Sequence, residues 1–354
     1  MFTGRKNAPN SGYHSAQPFM FKLPPFARLG VVVLVAGAGV GILATTSTLP
    51  VVSSGVAAAA RPQSTPAPAP WFDMNVASAD LSFKMPRSMP TGAPQIRGQA
   101  GILVDLDTGE ILWAKQPDLE LAPASLTKVL TALIALENFS PDQPVTITSN
   151  ALGQSSVDTL MHLKAGETFT VQELLEGMLL PSGDDAASAI AVDTVGEARF
   201  VAAMNAQVAA LGLDEAHFSA TAGLDDPGLY ASPYDLAVIA AYTYEQFPLF
   251  DQIVDSLLID LPATAEHPAF QLHNLDALLE DYPAAVGIKP GWTGNAGACL
   301  IGMAVRGGHH LLAVLMSANY PAKLESRLFD WGFSLDGLPP LLPPAPSASA
   351  APRT

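Results

Sequence analysis

The sequence predicts an α/β (α+β) fold, a five-stranded, mostly antiparallel sheet flanked by helices with a helical lobe attached. Three observations predict it. Two β-like segments, Gln99–Asp105 and Ile111–Lys115, are joined by the turn Asp107-Thr108-Gly109 and read as a hairpin. A long helical middle follows, with apolar residues at three- and four-residue spacing in Ser125–Glu137, Val171–Leu180, Asp184–Val195, Arg199–Leu211 and Ser232–Glu245. Three β-like segments then return, Ala285–Trp292, Gly297–Val305 and His310–Ser317, before a last helical stretch, Ala322–Phe333. A lone hairpin is marginal in water, so the early pair must join the late strands in one sheet. The intervening helices cover its faces or form the lobe, leaving a cleft where sheet and lobe meet.

Composition bounds the rest of the chain. Of 354 residues 49% are hydrophobic and only 14% charged, well under the ~25% of a typical globular domain, so part of the chain is unusually apolar or low in complexity. The net charge of −16 lacks the basic footprint that a nucleic-acid partner requires. The single Cys299 excludes an internal disulfide framework and a cysteine-built zinc site; in its apolar strand it reads as a buried, inert thiol.

Charge is unevenly spread. Residues 1–60 hold Arg5, Lys6, Lys22 and Arg28 and no acid, leaving 13 basic against 33 acidic groups for the remainder. A basic head, an uncharged stretch and an acidic body form the pattern of an exported protein. Residues 1–28 read as a basic cytoplasmic N-terminus and 29–48 as a transmembrane signal-anchor, long enough for the roughly 30 Å of a hydrocarbon core. Cleavage near Val56–Ala60 is the competing reading, which would make the protein secreted. Residues 49–96 read as a Pro/Ala-rich linker, 97–335 as one continuous body, and 336–354 as a disordered Pro/Ala-rich tail.

Three segments could carry chemistry. In Pro123-Ala124-Ser125-Leu126-Thr127-Lys128, a helix starting at Ser125 puts its hydroxyl and the Lys128 amine one turn apart on one face. A lysine whose pKa is depressed by burial can take a serine's proton, which makes the serine a nucleophile without a histidine. An N-cap serine beside a solvated lysine is the bland alternative. In Pro181-Ser182-Gly183-Asp184-Asp185, Ser182 sits between two helices, where capping is again an ordinary role. In Gly287-Ile288-Lys289-Pro290-Gly291-Trp292-Thr293, a strand-edge lysine could offer positive charge to a carboxylate while Gly291 admits a substrate to the backbone. The body contains no G-x-S-x-G elbow, no H-E-x-x-H and no phosphate-binding loop. His309 and His310, adjacent on a strand, point to opposite faces and cannot chelate together.

Together and in this order, the three segments resemble the Ser-x-x-Lys, Ser-x-Asn and Lys-Thr-Gly motifs of penicillin-recognising serine enzymes. The surrounding text, including ILVDLDTGEILWAKQPD, PASLTKVLTALIALE, LKAGETFTVQELLEGMLLPSGDDAA and GIKPGWTGNAGACLIGMAV, is similar to that of D-alanyl-D-alanine carboxypeptidases, the low-molecular-mass penicillin-binding proteins, over essentially all of 97–335. The resemblance implies a β-lactamase/DD-peptidase-like fold and a serine-type carboxypeptidase. That enzyme would remove the terminal D-alanine from peptidoglycan stem peptides through an acyl-enzyme, with β-lactams as inhibitors and no metal or cofactor. It implies Ser125 as the acylated nucleophile, Lys128 as its base and Ser182 as a proton relay. Lys289 would attract the substrate carboxylate, with Asp184, Gly291 and Trp292 also at the substrate. The oxyanion hole would come from the Ser125 and Trp292 amides. The catalytic domain would stand outside a plasma membrane.

Departures in two of the three segments bear on activity. Asp184 stands where the family has Asn, and an anion there should raise the Lys128 pKa and hold it protonated. Pro290 stands where the family has Thr, removing a hydroxyl that helps bind the substrate carboxylate. Val286 also replaces the family's Asp. A catalytically impaired relative that binds wall peptides or a wall protein is therefore the alternative, with a β-lactamase or an endopeptidase as further variants.

Overall fold

The computed structural model describes residues 82–153 and 159–343. Strands β1 (Ala100–Asp105) and β2 (Glu110–Lys115) form the expected hairpin, and α1 (Thr127–Asn138) follows. Next come β3 (Pro144–Thr146), α2 (Ser149–Leu152), β4 (Thr168–Thr170), α3 (Val171–Leu179), α4 (Asp184–Val192), α5 (Glu197–Ala210), α6 (Pro233–Gln246) and α7 (Pro248–Val254). The chain continues through β5 (Leu258–Leu261), β6 (Phe270–His273), α8 (Ala277–Asp281), β7 (Ala285–Thr293), β8 (Gly297–Arg306), β9 (His309–Met316) and α9 (Pro321–Leu335).

The main sheet has five strands in the order β2-β1-β9-β8-β7, and every pairing is antiparallel. The early hairpin joins the late strands through β1 and β9, as its marginal stability alone demanded. Side chains alternate between two cores. Ile102 and Val104 pack with α1 and α6, while Leu103 joins Phe329 and Phe333 of α9 on the other face. Each face of β1 is therefore buried, which is why all six of its residues are inaccessible. At the open edge, β7 carries a bulge between Ala285 and Gly287. Gly287 has φ +105°, and a Cβ there would lie 2.7 Å from the Val254 carbonyl oxygen, so only glycine fits. Edge position also explains Pro290, since a residue without an N–H is tolerated where one side of the strand has no ladder. Cys299 on β8 lies opposite Gly291 and is buried.

Helix α1 is the axle of the lobe, buried without a break from Thr127 to Ala135. It is apolar nearly all round because helices and sheet enclose it. Capping fixes its neighbours. Thr170 and Glu173 make a reciprocal capping box at the start of α3, and Ser232 accepts from the Asp235 amide at the start of α6.

Boundaries differ from the sequence reading in places with identifiable causes. Helix α1 begins at Thr127, because Ala124–Leu126 forms a tighter 3₁₀ turn with Ala124 at φ +51°. Helix α4 stops at Val192 rather than Val195, as the chain turns through Gly196 at φ +89°. The two small sheets, β3-β4 and β5-β6, have strands of only three or four residues. Residues 82–96, placed with the linker by composition, run against the body: the Lys84 backbone bonds to Gly109 and Ile111, and Phe83 packs on the core. Residues 338–342 also dock, with the Leu341 and Leu342 amides donating to Asp330. His309 and His310 diverge as expected, towards Asp336 and Asp107. The segments expected to form a signal-anchor (29–48) and a basic head (1–28) lie outside the described residues. Among the described residues no helix is long and apolar enough to cross a membrane.

Candidate active site

The cleft between sheet and lobe has a volume of about 510 Å³ and is lined by Ser125, Ser182, Asp184, Gly291 and Trp292, with Pro290 and Thr293 beside them. Five of the seven residues singled out from sequence thus face one space. Lys128 lies beneath it and touches Ser125. Lys289 does not line the cleft.

Ser125 sits in the 3₁₀ turn, and the turn is held by close backbone packing. A Cβ on Gly223, which has φ +91°, would fall 1.9 Å from the Ala124 carbonyl oxygen. On the other side, a Cβ on Gly291 would lie 3.0 Å from the Ser125 amide nitrogen, so glycine is what lets β7 approach the nucleophile's backbone. The turn is clamped between two glycines.

The Lys128 ammonium is fully buried and has three partners: Ser125 Oγ at 2.9 Å, Asp184 Oδ1 at 2.7 Å and the Ala222 carbonyl oxygen at 2.9 Å. Three partners match the three N–H bonds of an ammonium. They match a neutral amine equally well if the Ser125 hydroxyl donates to the nitrogen lone pair. Burial pushes the Lys128 pKa below the ordinary lysine range, and Asp184 pulls it partly back. Asp184 acts in the direction expected from its charge, towards a protonated lysine, and desolvation outweighs it.

Asp184 opens α4, with its amide bonded to the Thr159 carbonyl. Ser182, just before it, is buried in a left-handed conformation with φ +60°. Such strain in a non-glycine residue persists only where the surroundings fix it. Asp185, next along, accepts from the Met161, Leu163 and Ala186 amides, which pins the neighbouring loop.

Lys289 is fully buried, its Nζ 3.1 Å from the Pro290 carbonyl oxygen. Desolvation, reinforced by Lys128, lowers its pKa to about 7, against the pull of Asp276 and Asp184. Sequence reasoning missed Asp225 and Asp276. Asp225 accepts from Thr293 Oγ1 at 2.5 Å and from the Asn295 amide at 3.1 Å, tying the end of β7 to the cleft floor. The turn-rich AGLDDPG string around it was the available signal. Among the described residues no group of three or more His, Cys, Asp or Glu side chains is arranged to hold a metal ion.

A serine hydroxyl bonded to a buried lysine, at the junction of an antiparallel sheet and a helical lobe, defines a serine acyl-transfer enzyme of the penicillin-recognising class. The family profile of the D-alanyl-D-alanine carboxypeptidases matches residues 87–320, and the chain belongs to that family. It is 34% identical over 266 residues to D-alanyl-D-alanine carboxypeptidase DacB2 of Mycobacterium tuberculosis, covering 73% of this chain and 89% of that one. Against DacF of Bacillus subtilis the identity is 31% over 245 residues, covering 67% of this chain and 62% of that one. Among solved structures, a D-alanyl-D-alanine carboxypeptidase from M. tuberculosis superposes with a TM-score of 0.65 at 32% identity, over 72% of this chain and 97% of that one. The Streptomyces K15 DD-transpeptidase superposes with a TM-score of 0.64 at 29% identity, over 69% and 100%.

Proposed function

We propose that this chain is a serine-type D-Ala-D-Ala carboxypeptidase that trims the terminal D-alanine from peptidoglycan stem peptides. The observation that carries the reading is the Ser125–Lys128 hydrogen bond at 2.9 Å, with the lysine pKa depressed by burial. Lys128 in its neutral form takes the Ser125 proton as Oγ attacks the penultimate carbonyl carbon. The carbonyl oxygen gains negative charge and is received by the Ser125 and Trp292 amides. Collapse breaks the peptide bond, Ser182 passes a proton to the departing D-alanine amine, and the acyl-enzyme is released by water. Lys289, two residues from Gly291 and so on the same face of β7, supplies positive charge to the substrate's terminal carboxylate from its buried position on the lobe side of the sheet. β-Lactams enter as substrate mimics that acylate Ser125.

Residues 29–48 would tether the catalytic domain to the outer face of a plasma membrane. The uncharged apolar run, preceded by Lys22 and Arg28, supports this reading.

The test is intact mass of the purified full-length chain after incubation with a penicillin, beside Ser125→Ala, followed by D-alanine release from a D-Ala-D-Ala peptide. A stoichiometric adduct lost in the variant, with D-alanine released by the parent, is the expected result. Asp184 and Pro290 favour a second reading, an impaired relative that binds wall peptides. Absence of any adduct across pH 5–9 would make that reading the better one.

A further inference from the structure

Behind the cleft lie two carboxyl groups that the acylation steps do not use. Glu325 on α9 is fully buried, and neither of its oxygens has a hydrogen-bond partner of ordinary geometry. Asp276, the N-cap of α8, is buried too; its Oδ1 accepts from the Leu278 amide at 2.9 Å, and its Oδ2 has no partner. Unpaired buried carboxyl oxygens are costly, and two anions side by side without a cation more so. Among the described residues the cation that acts on Asp276 is Lys289.

The path of the chain shows where Asp276 lies. Leu275 lines the cleft, whereas Leu278 packs on the opposite face of the sheet. On that face a Cβ on Gly302 would meet Glu325 Oε2 at 2.0 Å and Leu278 Cδ2 at 2.6 Å, so the carboxyl of Glu325 sits in a notch that glycine leaves open. Residues 275–278 therefore pass from the cleft to the opposite face beside β7, against which α8 packs, and Asp276 lies between the two. From there it acts on Lys289 on one side and on Glu325 on the other.

We propose that Asp276 is a positioning residue whose carboxylate, lying beside β7, keeps Lys289 charged for the substrate carboxylate, while Glu325 remains a neutral acid behind it. This rests on Lys289 being the group that addresses that carboxylate. Other charges around Lys289 are accounted for. Lys128 of α1 opposes its ionisation and Asp184 of α4 assists it. Asp251 and Asp255 of α7, which also packs on β7, act on Tyr244, and Arg306 at the far end of β8 acts on Tyr282. Burial raises the Asp276 pKa to about 6 and that of Glu325 well above the usual carboxylate range, in keeping with one anion and one acid. Among the described residues the charged group that acts on Glu325 is Asp276, an acid, so a charge on Glu325 would gain nothing from it.

The test reads Lys289 directly, so that it does not depend on turnover. In the full-length chain labelled with ¹⁵N-lysine, the Lys289 Nζ resonance, identified by its loss in Lys289→Met, is titrated by NMR. Asp276→Asn keeps the acceptor for the Leu278 amide, and it is expected to lower the Lys289 midpoint by about half a pH unit or more. Glu325→Gln, neutral for neutral, is expected to leave the midpoint in place. In turnover assays at pH 8, Asp276→Asn should raise KM several-fold with a smaller change in kcat, and the difference should shrink at pH 6. An unmoved midpoint in Asp276→Asn overturns the proposal. So does a fall in Glu325→Gln as large as that in Asp276→Asn, which would put the anion on Glu325. A chain that titrates as expected but forms no penicillin adduct would refute the carboxypeptidase reading alone.

Discussion

Lys128 and Asp184 form an ion pair in the floor of the cleft, Nζ to Oδ1 at 2.7 Å, with both side chains buried. The same nitrogen touches the Ser125 hydroxyl, so the carboxylate bears on the acid–base state of the group that must deprotonate the nucleophile. An amide at 184 could accept the same N–H without bringing charge.

Asp184→Asn is therefore expected to increase, not abolish, acylation below neutrality. Asp184 raises the Lys128 pKa, so its removal lowers that pKa and moves the acidic limb of the rate profile to lower pH. Each unit of movement is worth about tenfold in the fraction of free amine on that limb. Second-order rates of penicillin acylation between pH 5 and 9 check this, and a limb that stays put or moves up would show that Asp184 does not control the base.

Pro290→Thr is expected to strengthen carboxylate binding. The change adds a hydroxyl on the cleft-lining strand, and its new N–H falls in an edge strand that tolerates the proline. A hydrogen bond to a charged group contributes roughly 1.5–3 kcal/mol, so acylation by a penicillin should rise by about tenfold to a hundredfold. An unchanged rate in a folded variant would show that the hydroxyl has no carboxylate to meet.

Gly223→Ala should damage acylation more than it damages the fold. Its Cβ would fall 1.9 Å from the Ala124 carbonyl oxygen, which can be relieved only by moving the turn that carries Ser125. A displacement of about 1 Å costs on the order of 100-fold in rate. Acylation kinetics beside a thermal melt make the comparison; a normal acylation rate would mean that the clamp does not position Ser125.

Glu137→Gln should stabilise the protein selectively at high pH. Burial raises the Glu137 pKa from 4.5 to about 7, and its Oε1 accepts from Gln207 Nε2. An acid whose folded pKa is raised contributes stability below its unfolded pKa and loses it as pH climbs through the folded value. After discounting for partial solvent screening, the gain at pH 8 is on the order of 1 kcal/mol, with little or none at pH 4. Melting temperatures of parent and variant at the two pH values decide it.

Much of the fold could be read from the chain because its long elements have strong periods. The apolar run Ile102-Leu103-Val104, closed by the Asp107-Thr108-Gly109 turn, and the apolar spacing of Val129, Leu130 and Leu133 each specify an element locally. Strands β3 to β6 carry three or four residues apiece, too few for alternation to register, and they exist because neighbouring segments pair with them. The Ser125–Lys128 pair was legible because one helical turn fixes it, even though that turn is 3₁₀ at Ser125. The depth of Lys289 was not, because burial of a strand residue depends on what folds over the edge. Asp225 and Asp276 lie in irregular segments where no period marks them, and only tertiary structure brings them beside β7.

The pairing of Cys299 with Gly291 gives the protein a built-in chemical reporter. This is the chain's single thiol, it is buried, and burial pushes its pKa up to about 11. A soluble thiol reagent reaches it when the sheet opens around β8, one of whose two neighbours is the strand bearing Gly291. The labelling rate of the native chain thus measures how often the catalytic wall breathes, without any engineered probe. An acylated enzyme should label more slowly than a free one.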